Sequence, residues 1–426
     1  MREDTTRGKV TALDLKPESH EKGAAMKIGR WARALLVAAP VLVGFMSGCG
    51  NFWQAPSGST SSTCTTDCTT ATSGNFYILN SPGSGSPTIV GESIVSGTLT
   101  ALSGSPWSLE GAPYSMAIAS NGNFLCVSTT SGVFAYPISS GKLGTPVVVS
   151  TDLAEAIQVD ATDSWLIEAL PTVGGVTLGA VPISTTTGAS TGSELTASFS
   201  VASAALQPNE MVISGDNSNI FVALGAGGTL VAPFSSTAPF PSGVNATTIA
   251  VANSSNGSAL SVAVDPGTTP RLFYIGETDA DSAGTSGGLR AFNYSSLGSS
   301  TLTQATNSPI ASGGLAPNFI LPINSTSGDY VYVANGTGAT TAGNITGITV
   351  TSSSSTYSLS AGSTVAAGAQ PRGLAEDSTS TFVLAVGSLG SPYFDAYTFD
   401  TTTAGQLDSQ ITSTTAAGSI AIVAAP

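Results

Sequence analysis

One pattern recurs down this chain and limits its fold more than any other feature. It runs "APYSMAIASNGNFLCVSTTSGVFAYPISSGKL" from Ala112, "ALSVAVDPGTTPRLFYIGE" from Ala259, "APNFILPINSTSGDYVYVANG" from Ala316 and "QPRGLAEDSTSTFVLAVGS" from Gln370. Weaker copies begin near Ala154 and Pro208. Each unit reads as a strand, a turn rich in Gly, Asn or Asp, a second strand, a longer loop, a third strand and a fourth. The markers Met116, Ile157, Met211, Val262, Phe319 and Leu374 are spaced 41, 54, 51, 57 and 55 residues apart. A unit of this size cannot bury its apolar face alone, so neighbours must stack.

The last residues decide how they stack. "SIAIVAAP", Ser419 to Pro426, matches the first strand of a unit but has no second strand after it. The missing strand is at the other end: "GNFYILN", Gly74 to Asn80, matches second strands such as "GDYVYVAN". A ring whose first, incomplete unit is finished by the final strand gives both segments a partner and removes two open edges. The expected fold is therefore all-β, a seven-bladed β-propeller over 74–426 with four-stranded blades closed by the C-terminal strand. The competing architecture, one or two β-sandwiches, does not require repeats of this period.

The units resemble those of YVTN-repeat and lactonase-like seven-bladed propellers, and "GDYVYVANG", Gly328 to Gly336, is the closest match. The likeness spans about residues 74–426 and speaks for fold more than activity. Enzymatic members, similar to 6-phosphogluconolactonase, place Arg, His and Glu side chains at the mouth of the central channel, usually with P-R-H before a blade's first strand. Here "QPRGLA" puts Arg372 at the arginine position and Gly373 at that of the histidine.

Ahead of the repeats, "MKIGRWARALLVAAPVLVGFMSGCGN" from Met26 has a basic start, an apolar run from Ala34 to Phe45, and small residues before Cys49. That run is short for a membrane span and reads as an export signal. Its end resembles the bacterial lipoprotein lipobox, which implies lipidation of Cys49. Gly50 rather than Asp follows, which points to the outer membrane. Residues 1–48 are thus upstream sequence and signal, with a true start at Met26 in view, and 49–73 are a Ser/Thr-rich tether. Cys64 and Cys68 in the tether are spaced for a local disulfide in an oxidising compartment. Cys126, in an apolar strand, reads as a buried thiol.

Charged residues make up 9% of the chain, against roughly a quarter in ordinary domains. The net charge of −14 argues against nucleic acid as a partner. Beyond residue 48 the basic side chains are Lys142, Arg271, Arg290 and Arg372, and the one histidine, His20, lies upstream. No Gly-rich loop followed by a Lys is present to bind phosphate, and beyond residue 48 there is no histidine to act as the base of a serine nucleophile.

Aligning the units at the start of their first strands gives one position per blade around the channel rim. These are Tyr114, Glu155, Asn209, Ser258, Asn318, Arg372 and Gly418. Glu210 replaces Asn209 if the register slips by one. Such a ring suits a small polar ligand, or is simply a solvated channel. If the protein is an enzyme, Glu155 or Glu210 is the base and Arg372 the oxyanion stabiliser. "ETDADSAGTSGG" offers Asp279 and Asp281 as a weak Ca²⁺ candidate, against an ordinary acidic loop. The sequence thus leads to a lipid-anchored envelope propeller without a cofactor. Its expected role is binding or scaffolding of a protein or glycan, and the alternative is lactonase-like hydrolysis or isomerisation.

Overall fold

Each unit opens with a hairpin, and a buried acid shapes several of the turns. Asp160, at the end of Ala156–Val159, accepts the N–H groups of Ser164 and Trp165 at 2.8 Å each. Asp377 does the same for Thr381 at 2.8 Å and Phe382 at 2.6 Å. Asp265 takes Leu272 N–H at 3.1 Å and the Tyr274 hydroxyl at 2.8 Å. A carboxylate that accepts amides two to seven residues on fixes the turn and the register of the strand that follows.

The computed structural model describes residues 71–426 apart from 202–205, 244, 282, 326–327, 338–341 and 415. The export signal, Cys49, Cys64 and Cys68 lie outside the described residues. Among the described residues the chain is all-β, with one 3-10 turn at Tyr294–Ser296. Residues 71–73, placed in the tether by composition, are built into the body. Ser73 Oγ accepts Ile94 N–H at 2.7 Å, and Ala71 O accepts Gly97 N–H at 2.9 Å.

The strands form antiparallel sheets arranged as a β-propeller. The first strands of the units touch in order: Pro113–Ile118, Ala156–Val159, Glu210–Ile213, Ala259–Val264, Ala316–Ser325, Thr356–Glu376 and Ser419–Ala424. The last of them touches Pro113–Ile118 again. Ser419–Ala424 also runs antiparallel to Phe76–Asn80, with Phe76 opposite Ala424 and Leu79 opposite Ala421. The last strand therefore completes the first sheet.

The expectation of separate four-stranded sheets holds only in part. Among the described residues five sheets of four or five strands stand alone, while a sixth has seven strands. The cause is Thr356–Glu376. Its first part pairs with Ala342–Ser353, from Ser353 opposite Thr356 to Ala342 opposite Ala369. Its last part pairs with Phe382–Leu389, from Ala369 opposite Leu389 to Glu376 opposite Val383. With no break between an outer strand and the next inner one, two units share one hydrogen-bonded ladder.

The core lies between sheets, and strand alternation puts it there. Phe76 and Ile78 pack towards Phe382, Leu384, Phe394 and Ile422. Tyr77 and Leu79, one residue out of phase, pack towards Leu125, Val127 and Tyr136 on the opposite side. The Phe76 and Phe394 rings stack at 5.3 Å. Each fully buried aliphatic or aromatic side chain contributes roughly 2 kcal/mol, so a sheet wedged between two neighbours is held from both faces.

The closing strand is expected to be indispensable. Ile422→Asp, which puts a charge into the cluster of Phe76 and Phe394, should cost about 3–5 kcal/mol. Deleting 418–426 should abolish the single cooperative thermal transition followed by circular dichroism. A deletion that melts like the parent would show that closure does not support the ring.

Candidate functional site at the channel mouth

Five of the first strands carry the same irregularity near their start. Pairing jumps from Pro113 to Ser115, Ala259 to Ser261, Pro317 to Phe319, Pro371 to Gly373 and, in the closing strand, Ser419 to Ala421. The skipped residues are Tyr114, Leu260, Asn318, Arg372 and Ile420. A bulge leaves one residue outside the ladder and re-aims its side chain. In the other two units the matching residue sits just ahead of the strand. Glu155 donates its N–H to Ala169 O at 3.1 Å, and Asn209 donates to Ala223 O at 2.9 Å. All seven residues line one cavity of about 650 Å³.

Five of these, Tyr114, Glu155, Asn209, Asn318 and Arg372, are rim positions expected from sequence. Two expected positions are corrected. Ser258 lies above the strand, where its carbonyl accepts Thr278 N–H at 3.0 Å, and Leu260 takes its place. Gly418 sits in the turn before the closing strand at φ +74, where a Cβ would lie 2.7 Å from Ser81 O, and Ile420 is the rim residue. Counting back from the strand's apolar residues misses the extra residue that a bulge inserts. The mouth is thus polar over five positions and apolar over two.

The polar residues differ in what they have left to offer. Asn318 Nδ2 donates to Pro371 O at 2.8 Å, and Asn209 Nδ2 donates to Ala259 O at 3.0 Å. These amides fasten each unit to the next, a role that sequence reasoning did not assign. Ser261 Oγ makes a similar bond to Pro317 O at 2.7 Å. Glu210, the expected alternative to Asn209, lines the same cavity, and its Oε2 accepts Val262 N–H at 3.0 Å. Burial holds that carboxyl well above the usual carboxylate range.

Glu155 and Arg372 are different. Arg372 faces the cavity and has no ion pair or hydrogen bond among the described residues. The residue keeps exposed surface in the mouth, and the strands crowded around it lower the pKa of the guanidinium. Glu155 Oε2 is buried without a hydrogen-bond partner, and burial raises the carboxyl's pKa. An unpaired cation and a proton-accepting carboxyl facing one cavity can bind an oxyanion and move a proton.

The Asp279–Asp281 candidate for Ca²⁺ is not assembled. Asp281 Oδ1 accepts the N–H groups of Thr285 at 2.7 Å and Ser286 at 2.9 Å, and these bonds lower its pKa. The carboxylate caps its own loop, as an Asx turn does. Cys126 is free and fully buried, as expected.

A second cavity of about 480 Å³ lies on the closing sheet, lined by Val90, Leu99, Pro106 and Glu92 among others. Glu92 is 5% exposed, its Oε2 lacks a partner, and burial pushes its pKa up to about 7. Between about 4.5 and 7 the folded chain therefore binds more protons here than the unfolded chain does. Its contribution to stability is complete at low pH and is lost as pH rises through 7. Glu92→Gln should accordingly melt a few degrees above the parent at pH 8 and close to it at pH 5. An equal difference at both pH values would remove Glu92 as the titrating group.

Compared with known proteins, the chain matches no family model and no curated protein sequence. Its fold is shared with solved structures. A candidate 6-phosphogluconolactonase from Bacteroides uniformis superposes with TM-score 0.60 at 16% identity, over 82% of this chain and 98% of that one. Its Bacteroides fragilis counterpart gives 0.59 at 14%, over 83% and 98%. The periplasmic gluconolactonase of Pseudomonas aeruginosa gives 0.55 at 15%, over 84% and 100%. The likeness is to lactonase-like propellers, and at these identities it is one of fold.

Proposed function

We propose that this chain is a seven-bladed propeller that binds a small sugar-acid lactone at its channel mouth and hydrolyses it. The blade count takes Thr356–Glu376 as the outer strand of one blade and the inner strand of the next, in line with the seven rim residues. The observation that carries the activity is the pair Glu155 and Arg372, whose charged groups lack partners among the described residues and face one cavity. The shared fold with a gluconolactonase supports the same substrate class.

In this reading Arg372 draws the lactone carbonyl to it and neutralises the oxyanion formed when water adds. Glu155 takes the proton of that water, and its raised pKa makes it the stronger base. When the ring C–O bond breaks, Glu155 returns the proton to the departing alkoxide. The product is the open hydroxy acid, and Glu155 is a carboxylate again. Tyr114, half-exposed at the rim, offers a hydroxyl to the sugar.

A second reading is binding without turnover, of a protein or glycan partner. It is favoured by the lack of any histidine beyond residue 48 and by the amides of Asn209 and Asn318 being taken up between blades. In either case the proposal includes export and a lipid on Cys49, which would hold the propeller at the outer membrane through the Ser/Thr tether.

The test is hydrolysis of glucono-lactones followed by acid release, against the uncatalysed rate. Arg372→Ala is expected to lower kcat/KM by about 10²–10³, and Glu155→Gln to lower kcat by a similar factor with KM little changed. Lactone that stabilises the parent in thermal unfolding without being hydrolysed would show a lactone-binding channel without turnover and remove the hydrolase reading. Absence of both turnover and stabilisation would remove the channel as a lactone site.

A further inference from the structure

Away from the channel, one buried carboxylate stands where the fold calls for a hydrocarbon. Glu168 lies opposite Ile157 in the second strand of its unit, Trp165–Thr172, and has no exposed surface. By the same register, the equivalent residues of the other units are Ile78, Val127, Val222, Ile275, Val333 and Ala385. All six are buried aliphatic residues packed between sheets. Glu168 cannot be there for packing, since an isolated buried carboxylate is costly.

It is not alone. Asp152, in the loop after Val147–Ser150 of the preceding unit, and Glu194, just ahead of Leu195–Ser200, converge on it. One oxygen from each of the three carboxylates lies within 4.8 Å of the others. Ser150 Oγ donates to Glu168 Oε2 at 3.3 Å. The Oε1 atoms of Glu168 and Glu194 are both buried and without a hydrogen-bond partner. Space for Glu194 exists because Gly179, opposite Glu168, has no side chain: a Cβ there would lie 2.0 Å from Glu194 Oε1.

Elsewhere the molecule supplies such a group with a cation. Glu277, also without exposed surface, receives Arg290 Nη1 at 2.8 Å and Ala252 N–H at 2.7 Å. No ion pair among the described residues reaches Asp152, Glu168 or Glu194.

We propose that Asp152, Glu168 and Glu194, with Ser150 Oγ, form a Ca²⁺ site clamped between two neighbouring sheets. The donors are all oxygens, which selects a hard cation. Oxygens about 2.3–2.6 Å from an ion lie up to about 5 Å apart across it, so carboxylate oxygens within 4.8 Å of one another can share one Ca²⁺, while Mg²⁺ demands near-ideal octahedral geometry and gives up its waters reluctantly. Because two ligands come from one unit's sheet and the others from its neighbour, the ion ties the two together. Without it, protons must do so: burial and the neighbouring acids push Glu168 up to about 8, and burial and Asp152 push Glu194 up to about 7.

The experiment is thermal unfolding of the chelator-treated full chain at pH 8, with CaCl₂ or MgCl₂ added to about 5 mM, and calorimetric titration of CaCl₂. Ca²⁺ should raise the midpoint by several degrees, and Mg²⁺ by clearly less. Gly179→Ala, which displaces Glu194, and Glu194→Gln should fold but lose the Ca²⁺ increment. Glu168→Leu, which restores the aliphatic residue of the other units, should melt above the ion-free parent and ignore Ca²⁺. A parent that does not respond to Ca²⁺, or an increment that survives in Glu168→Leu and Glu194→Gln alike, would overturn the proposal.

Discussion

Everything in this fold depends on one antiparallel pairing, that of Ser419–Ala424 with Phe76–Asn80. Hydrogen bonds along it join segments from opposite ends of the described chain, and the side chains of both strands fill the clusters on either side. A ring of sheets held by contacts between neighbours has no stable open form of the same energy. If one join is lost, two sheet faces and two strand edges meet water together. Ring closure also creates the channel, because only a closed ring of first strands encloses a cavity.

The channel chemistry follows from a backbone detail. A regular strand would alternate its side chains between the two neighbouring sheets and offer little to the axis. The bulges at Tyr114, Leu260, Asn318, Arg372 and Ile420 free one residue per strand from that alternation. Ser261, the residue after one bulge, fastens the ring through Pro317 O, and Glu210 does so in an unbulged strand through Val262 N–H. At Leu260 and Ser261 adjacent residues divide the work, one facing the cavity and the other bonding to the next unit, whereas Asn209 and Asn318 do both.

The buried acids make a parallel point about charge in a chain that has little of it. Asp160 and Asp377 are satisfied by the amides of their own turns, Asp265 by Leu272 N–H, the Tyr274 hydroxyl and Arg271, and Glu277 by Arg290 and Ala252 N–H. Glu155, Glu92 and the Glu168 cluster are left without such partners, and each borders a cavity or a group of further acids. Structural acids and candidate functional acids are separated here by whether the backbone satisfies them.

Sequence alone determined the all-β class, the repeat, the pairing of the last strand with the first, and five of the seven rim residues. These are legible because period, alternation and turn residues are local properties that recur in each copy. It could not reveal that Thr356–Glu376 joins two sheets, or that Leu260 and Ile420 rather than Ser258 and Gly418 face the channel. Both depend on where the hydrogen-bond register slips, and register belongs to a pair of strands, not to one. The acids show the same limit. "SWLIEAL" displays Glu168 in an apolar strand, but its convergence with Asp152 and Glu194 exists only once neighbouring sheets are packed together.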